Sequence, residues 1–226
     1  MSVYVIGCGG VGSWLVPALA KLIDVENLWL MDGDRLEPKN LDRQLFSNTD
    51  VGKYKSEALG RKYGLKYINT FYGLGTLEHS PTDWLLCACD NHAARISVLR
   101  ACDMFGCRTI IGANELNSSE AYYYQQEWMG TAYDPRVMYP EMLTDLTGDP
   151  MRTEGCTGEA QAQNRQLSSA NFMAAALMQH LLVLWKIEVL KLDPAIIPSL
   201  PHQLSATLSR VGYRLINQST DYERIT

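Results

Sequence analysis

Short apolar runs alternate with amphipathic stretches along the first half of the chain. The apolar runs end at glycine, asparagine or aspartate, as is typical of buried parallel strands, and apolar residues recur at helical spacing between them. Strand followed by helix and then strand predicts right-handed βαβ units and a mostly parallel sheet. Strands are predicted over residues 3–6, 28–32, 66–72, 84–88 and 109–113, and helices over 11–23, 53–63 and 93–105.

The second half of the chain departs from this alternation. Residues 121–128 are aromatic and alternate, and 203–209 with 213–217 alternate like a closing hairpin, so antiparallel strands are predicted at the sheet edge. A helix is predicted over 168–190. Residues 130–167 lack periodicity, which indicates a long crossover loop rather than a second domain. The expected fold is α/β and Rossmann-like: a mostly parallel twisted sheet flanked by helices, with antiparallel edge strands.

Composition limits the classes of protein that fit. With 226 residues and 46% hydrophobic content, the chain is expected to form one domain over 1–226. A net charge of -5 and the absence of a Lys/Arg block disfavour nucleic acid as a partner. The most apolar stretch, 172–190, is interrupted by polar residues, so no membrane span is expected. Six scattered cysteines without a secretory signal predict a reducing, cytoplasmic location.

A glycine-rich turn joins the first strand to the first helix. Gly7, Gly9 and Gly12 have the G-x-G-x-x-G spacing, which permits a sharp turn and brings a phosphate close to the helix N-terminus. Gly10 lies between them and leaves the backbone open. Asp32 follows about 20 residues later, where a carboxylate accepts hydrogen bonds from a ribose; an ordinary strand-end cap is the alternative. These residues predict a nucleotide site.

Other chemistry is predicted at the carboxyl ends of strands. Residues 33–49 are polar and irregular, and a loop of this length in a small domain is typically functional. Asp34 lies on it and is expected to fold the loop or to assist Asp32. Asp90 follows the buried run 84–88, at the same edge of the sheet. Arg95, one turn into the next helix, is expected to be a solvated helical arginine.

Four motifs in order carry a specific resemblance: GCGGVGS, LMDGDRLEPKNLDRQLF, VGKYK and CACDN. Over about residues 3–110 the chain resembles the ThiF/MoeB-type adenylyltransferases, the superfamily that includes the ubiquitin-activating enzymes. The resemblance implies that MgATP activates the C-terminal carboxylate of a small ubiquitin-like or sulfur-carrier protein. The product would be an acyl adenylate, with release of pyrophosphate.

The resemblance also implies roles for single residues. Asn40, Arg43 and Gln44 occupy the N-L-x-R-Q positions, where the asparagine and arginine resemble triphosphate ligands, and a guanidinium suits phosphate oxygens. Lys55 fills the lysine of V-G-x-x-K and would serve the same phosphates. Asp90 resembles the magnesium-associated aspartate. The alternatives are a solvated surface arginine for Arg43 and a helix N-cap for Asp90.

The chain departs from the family pattern in two respects. Many members carry paired C-x-x-C motifs that hold structural zinc; this chain has none, so no structural zinc is expected. No helix precedes the first strand, although in relatives such a helix lends an arginine to the partner subunit's site. A homodimer is still expected from the resemblance. Four cysteines are expected to be core or near-core thiols: Cys87, Cys89, Cys102 and Cys107.

Cys156 is the cysteine outside the predicted strands and helices. It lies in the predicted crossover loop, which resembles the loop where many family members carry the cysteine that takes the activated acyl group. Arg152 and Arg165 would offset the effect of nearby glutamates on its pKa. Cys156 is therefore expected to form a thioester or a persulfide-linked species; an incidental loop thiol is the alternative.

Other functions remain open. An NAD-dependent oxidoreductase shares the glycine turn but does not account for Asn40, Arg43 or Lys55. A nucleotide-binding scaffold without chemistry is suggested by the missing zinc motifs and N-terminal helix. A relative that acts on a peptide or on a modified tRNA base also fits the motifs, although the acidic charge disfavours tRNA.

Overall fold

Eight strands form one sheet in the computed structural model, which describes residues 1–114, 118–144, 167–191, 202–209 and 212–218. The strands are β1 (Val3–Ile6), β2 (Leu28–Met31), β3 (Lys66–Ile68), β4 (Trp84–Cys87), β5 (Arg108–Asn114), β6 (Ser118–Gln125), β7 (Gln203–Ser209) and β8 (Gly212–Gln218). The helices are α1 (Gly10–Leu19), α2 (Lys55–Tyr63), α3 (His92–Phe105), α4 (Pro135–Met138), α5 (Glu141–Thr144) and α6 (Ser168–Lys191).

The strand order is β3-β2-β1-β4-β5-β6-β7-β8. Neighbouring strands run parallel from β3 to β5 and antiparallel from β5 to β8. This confirms the predicted α/β fold, a Rossmann-like sheet with antiparallel edge strands.

β1 is the centre of the parallel half. It pairs with β2 and β4 so that Val5 lies opposite both Leu30 and Leu86, and these three side chains are fully buried. Alternate residues of β1 face opposite sides of the sheet: Val3 and Val5 pack into the core beneath α1 and α6, whereas Ile6 packs into the core beneath α3. Helices therefore cover both faces, as a parallel sheet requires.

The strand order reverses at β1, whose neighbours β2 and β4 lie on opposite sides of it. In open α/β sheets such a switch point leaves a crevice at the carboxyl ends of the strands. Gly7 directly follows β1, Asp32 directly follows β2, and Asp90 follows β4. The crevice thus brings together residues that were predicted from separate motifs.

Helix α6 packs on the antiparallel half of the sheet. Tyr123 of β6 stacks on Trp185 of α6 with ring centroids 3.9 Å apart, and both are buried. β7 and β8 pair with Leu208 opposite Tyr213, which confirms the predicted closing hairpin. In the described part of the chain, no helix combines the length and the apolar character that crossing a membrane requires.

Three elements, β3, α4 and α5, differ from the sequence prediction. β3 ends at Ile68 rather than at residue 72, because its partner β2 ends at Met31, directly opposite Ile68. Residues 130–144 were predicted as irregular chain, but they contain the short helices α4 and α5. A four-residue helix is about one turn long and shows no periodicity in the sequence. The rest of the predicted crossover loop, 145–166, lies outside the described residues.

Arg136 fastens α4 to the rest of the fold. Its guanidinium donates to Asp134 at 2.9 Å, to Asp103 of α3 at 2.6 Å, and to the hydroxyl of Tyr124 of β6 at 2.7 Å. Burial raises the pKa of Asp134, but hydrogen bonds from Arg136 and from the Gly130 N–H outweigh it and hold that pKa below its usual value. Asp134 therefore stays ionised at neutral pH.

Arg136→Met is expected to lower the free energy of unfolding at neutral pH by about 3 kcal/mol, because Asp134 and Asp103 lose their cation. Since the folded-state pKa of Asp134 is lowered, this stabilisation is present above the unfolded-state pKa of about 4 and is lost as pH falls. Urea unfolding at several pH values measures both effects. Arg61→Met removes an exposed guanidinium that interacts with Glu57 and Tyr67, and it should lower the free energy of unfolding far less than Arg136→Met does. Equal effects of the two substitutions would contradict the role of Arg136.

Candidate functional site

The turn between β1 and α1 requires glycine at two positions, because other backbone atoms lie where a Cβ would be. Gly7 has φ +91°, and a Cβ there would lie 3.0 Å from the Ala88 backbone. A Cβ at Gly12 would lie 1.9 Å from the Gly7 carbonyl oxygen. Gly9 is different, since the nearest atom to a Cβ there is Gln44 Nε2 at 3.7 Å, an ordinary contact. Gly7 and Gly12 therefore shape the turn, and Gly9 keeps the space above it open.

A cavity of about 210 Å³ opens over this turn, at the carboxyl ends of β1, β2 and β4. We call it the glycine-loop cavity. Most of the residues predicted for the nucleotide site line it: Gly7, Gly9, Gly10, Asp32, Arg43, Gln44, Lys55 and Asp90. Asp34 and Arg95 also line it, whereas Gly12 and Asn40 are not among its lining residues.

Asp32 holds the glycine turn in place. Its Oδ2 accepts a hydrogen bond from the Cys8 N–H and its Oδ1 accepts one from the Asp34 N–H, both at 2.7 Å. Burial raises the pKa of Asp32, and Asp34 raises it further, against the opposing effect of Lys55. The strand-end role is thus realised in the structure. A ribose role stays a prediction; Asp32 lines the cavity, and each carboxylate oxygen has capacity for a further hydrogen bond.

Lys55 is a nearly buried cation at the first residue of α2. Its Nζ donates to Asp34 Oδ2 at 2.8 Å, and the side chain is 10% exposed. Burial lowers the pKa of Lys55, but Asp32, Asp34 and Asp90 together raise it above its ordinary value. Lys55 therefore stays charged at neutral pH. The neighbouring Lys53 is 44% exposed and pairs with Asp50, away from the cavity.

Arg43 and Gln44 line the same cavity as Lys55. The Arg43 guanidinium donates to Asp42 and to the Lys39 carbonyl, each at 2.9 Å. Asp42 is 66% exposed, and such a surface pair contributes only about 0–1 kcal/mol, so it does not compete strongly with a phosphate. The Gln44 side chain is buried, and its Oε1 has no hydrogen-bond partner. A buried amide oxygen without a donor indicates a ligand that brings one.

Asn40 does not line this cavity. The Asn40 side chain is buried and its Oδ1 accepts from the Glu37 N–H at 3.0 Å, which caps a short 3-10 helix. Its role as a phosphate ligand stays a prediction. Cys156 lies outside the described residues.

Asp90 lies at the cavity with an exposed side chain. The N-cap alternative for Asp90 is wrong, because Asn91 caps α3: its Oδ1 accepts from the Ala94 N–H at 2.7 Å. The described residues contain no group of three or more His, Cys, Asp or Glu side chains placed to hold a metal ion. The magnesium role of Asp90 stays a prediction.

Sequence reasoning missed three polar residues. Arg95 was predicted to be solvated, but it is partly buried and lines the cavity, and its Nε donates to the Cys89 carbonyl at 3.3 Å. Asn114 donates to Asn171 at 2.9 Å, and Asn171 donates to the Arg43 carbonyl at 3.3 Å. This chain of bonds joins β5, α6 and the polar loop, three segments that no local motif connects.

Of the four cysteines predicted as core or near-core thiols, three are buried, and the other, Cys89, is a poor nucleophile. Cys87, Cys102 and Cys107 are fully buried, which confirms the prediction of core thiols for these three. Cys89 is less buried and lines the cavity. Its hydrogen bond with Cys87, together with burial, raises the pKa of the Cys89 thiol well above its usual value. Cys89 is therefore not a thiolate at neutral pH.

The part of the chain that contains the glycine turn is similar to known proteins. Residues 1–71 match the ThiF family. Over 123 residues the chain is 29% identical to ubiquitin-like modifier-activating enzyme 5 of Drosophila persimilis, covering 45% of this chain and 32% of that protein. Over 112 residues it is 34% identical to tRNA threonylcarbamoyladenosine dehydratase of Haemophilus influenzae, covering 43% and 41%. The matched part thus spans less than half of either relative.

Solved structures extend the likeness along the chain. The crystal structure of E. coli MccB with ATP matches with a TM-score of 0.64 and 20% identity, covering 96% of this chain and 64% of MccB. The crystal structure of E. coli MccB with AMPCPP and MccA matches with a TM-score of 0.65 and 19% identity, covering 99% and 65%. At these identities the likeness shows the fold. Together with the match of residues 1–71 to the ThiF family, this likeness supports the resemblance that the motifs predict.

Proposed function

We propose that this protein is an ATP-dependent adenylyltransferase that activates the C-terminal carboxylate of an acceptor protein or peptide. A small ubiquitin-like or sulfur-carrier protein is the proposed acceptor. The match to ubiquitin-like modifier-activating enzyme 5 supports a ubiquitin-like acceptor, and the fold likeness to MccB crystallised with AMPCPP and MccA is compatible with a peptide tail.

The observation that carries the proposal is the charge arrangement over the glycine turn. The N-terminus of α1 opens into the cavity through glycines, and backbone N–H groups there favour a phosphate. Lys55 keeps its charge beside that turn, Arg43 supplies a second cation, and Gln44 presents an unpartnered amide oxygen. A site with two cations suits the triphosphate of ATP better than the pyrophosphate of a dinucleotide such as NAD, because the dinucleotide needs no lysine there.

The proposed reaction is a displacement at phosphorus. A carboxylate oxygen of the acceptor attacks the α-phosphorus of ATP, the bond to the bridging oxygen breaks, and pyrophosphate leaves with the electron pair. Arg43 and Lys55 stabilise the charge that develops on the leaving phosphates, and Asp32 holds the turn that orients them. Magnesium, held by Asp90 and phosphate oxygens, would neutralise charge on the triphosphate.

The finer parts of the proposal rest on the resemblance. For the step after adenylation we propose that the Cys156 thiol attacks the acyl adenylate, so that a thioester forms and AMP leaves. A persulfide-linked species would form instead if Cys156 first received a sulfur atom from a persulfide donor. We further propose a homodimer and a cytoplasmic location. Action on a modified tRNA base is the second candidate, since one relative is a tRNA threonylcarbamoyladenosine dehydratase, but the net charge of -5 favours a protein acceptor.

Arg43→Ala is expected to lower acceptor-dependent ATP–pyrophosphate exchange by at least about tenfold, the worth of a charge-assisted hydrogen bond to phosphate. Lys39→Ala removes an exposed cation from the same loop and should leave exchange within about twofold of wild type. Radiolabelled pyrophosphate exchange with small proteins ending in glycine measures both. If Arg43→Ala exchanges like Lys39→Ala, the assigned phosphate site is wrong.

A further inference from the structure

The carbonyl oxygen of Arg43 receives hydrogen bonds from two helices. Trp14 Nε1 of α1 donates to it at 3.2 Å, and Asn171 Nδ2 of α6 donates to it at 3.3 Å. The N–H of the same peptide unit, which belongs to Gln44, donates to the Asn40 carbonyl at 3.0 Å. Because a peptide unit is planar, bonds at both its oxygen and its nitrogen fix its position in the fold.

Asn171 lies where these segments meet. Its side chain is fully buried, and its Oδ1 accepts from Asn114 Nδ2 of β5 at 2.9 Å. A backbone carbonyl can only accept a hydrogen bond, so Asn171 must turn Nδ2 towards Arg43 and Oδ1 towards Asn114. The buried amide therefore has one orientation that satisfies both partners, and any other leaves a buried polar group unpaired.

The same amide packs against the first turn of α1. A Cβ at Gly10 would lie 2.7 Å from Asn171 Oδ1 and 3.0 Å from its Cγ, so this contact requires glycine. Gly10 and Arg43 both line the glycine-loop cavity, whereas Asn171 is not among its lining residues. The influence of Asn171 on the cavity must therefore pass through its neighbours.

The Arg43 guanidinium depends on this support of its backbone. Its hydrogen bonds go to Asp42 and to the Lys39 carbonyl, which belong to the same polar loop, residues 33–49. Contacts within one loop do not fix the guanidinium relative to the glycine turn. The two bonds to the Arg43 carbonyl do so, because their donors lie on α1 and α6.

We propose that Asn171 is a positioning residue for the triphosphate. It holds the Arg43 backbone at a fixed place beside the N-terminus of α1, so that the guanidinium reaches the phosphates beyond the α-phosphate. This proposal rests on the proposed function for the identity of the nucleotide and for the role of Arg43. Asn171 touches neither the nucleotide nor the acceptor, and it acts through Arg43.

Nucleotide affinities of the full protein test this role without an acceptor. Asn171→Leu keeps a branched side chain and removes both hydrogen bonds. It is expected to weaken binding of the non-hydrolysable ATP analogue AMPCPP at least about fivefold, the worth of one hydrogen bond, and to change AMP binding less than about twofold. AMP lacks the phosphates assigned to Arg43, so general damage to the fold would weaken both nucleotides. Titration calorimetry measures both affinities.

Two further variants support the comparison. Asn48→Leu makes the same substitution at an exposed position of the polar loop that does not line the cavity, and it should change neither affinity. Trp14→Phe keeps an aromatic ring and removes the other bond to the Arg43 carbonyl, so it should weaken AMPCPP binding selectively as well. Unfolding midpoints show whether each variant is folded, and Trp14→Phe decides the outcome if Asn171→Leu is not.

A double-mutant cycle shows whether Asn171 acts through Arg43. Arg43→Ala removes the guanidinium that Asn171 is proposed to position. In that background Asn171→Leu is expected to change AMPCPP affinity less than about twofold, because two residues that act as one unit are not additive. The loss of about fivefold would recur in full if Asn171 affected the site independently.

The outcomes separate this inference from the proposed function. Equal losses for AMPCPP and AMP, an unchanged AMPCPP affinity, or the full loss repeated in Arg43→Ala overturns the inference. Pyrophosphate exchange by the wild-type protein alongside any of these results would leave adenylation standing. A selective loss of AMPCPP affinity, with no exchange by the wild-type protein for any acceptor, would leave the positioning role standing and reject adenylation.

Discussion

Lys55→Met is expected to lower ATP–pyrophosphate exchange by at least about 100-fold, as does the loss of a preorganised group that stabilises transition-state charge. Lys55 is nearly buried, and its pKa is raised, so its cation is present throughout the neutral range. Without it, Asp32 and Asp34 would face the phosphates with no compensating charge. Both the loss of a cation and the new repulsion act on the same leaving group.

Lys53→Met is the matched control for this substitution. Lys53 lies two residues away, is 44% exposed, and pairs with Asp50 on the surface, so its replacement should leave exchange unchanged. The double variant Asp34→Asn with Lys55→Met removes both members of the ion pair and should recover stability without recovering exchange. If Lys53→Met loses as much activity as Lys55→Met, or if Lys55→Met keeps activity, the lysine assignment fails.

Gly12→Ala is expected to destabilise the protein by about 3 kcal/mol and to abolish nucleotide binding, although alanine normally stabilises a helix by about 1 kcal/mol relative to glycine. The sign reverses because the new Cβ would meet the Gly7 carbonyl oxygen at 1.9 Å. The turn cannot yield readily, since Gly7 holds φ +91° and Asp32 fixes the next N–H.

Gly73→Ala tests whether this effect is local to the turn. The nearest atom to a Cβ at Gly73 is Thr76 Oγ1, at 3.5 Å, and the backbone there has no positive φ. Its urea midpoint and nucleotide affinity should stay close to wild type. A Gly12→Ala protein as stable as Gly73→Ala, with normal nucleotide binding, would show that the turn is not built as described.

The sequence predicts those parts of the fold whose burial is periodic. β1 and β4 are buried runs bounded by turn residues, and α6 is a long apolar helix, so their bounds agree with the prediction within a few residues. β3 was predicted too long because the length of a parallel strand depends on its partner, here β2. α4 and α5 were missed because one helical turn leaves no periodic signal.

In the candidate site, too, some residues could be predicted from the sequence and others could not. The glycines and Asp32 directly follow strand ends, so their approach to one crevice follows from the topology. Lys55 was found because it belongs to a contiguous motif. Asn171 joins the site through a contact between α6 and the polar loop, which no spacing in the sequence encodes. Arg95 joins it through a bond to the Cys89 carbonyl after β4, which the helical pattern of α3 does not indicate. Asn40 is the opposite case: a motif in the sequence indicates a ligand, but in the structure its side chain caps a short helix. An asparagine suits either role, so the sequence does not distinguish them.

The fate of the acceptor's carboxylate oxygen tests the central claim most directly. An acceptor tail labelled with a heavy oxygen isotope in its terminal carboxylate is incubated with ATP and the protein, and hydroxylamine then cleaves the activated acyl group at its carbonyl carbon. Because the carboxylate oxygen is proposed to attack the α-phosphorus, mass spectrometry should find the label in AMP, together with unlabelled pyrophosphate. Label confined to the acyl product and to inorganic phosphate, with ADP in place of AMP, would contradict adenylation.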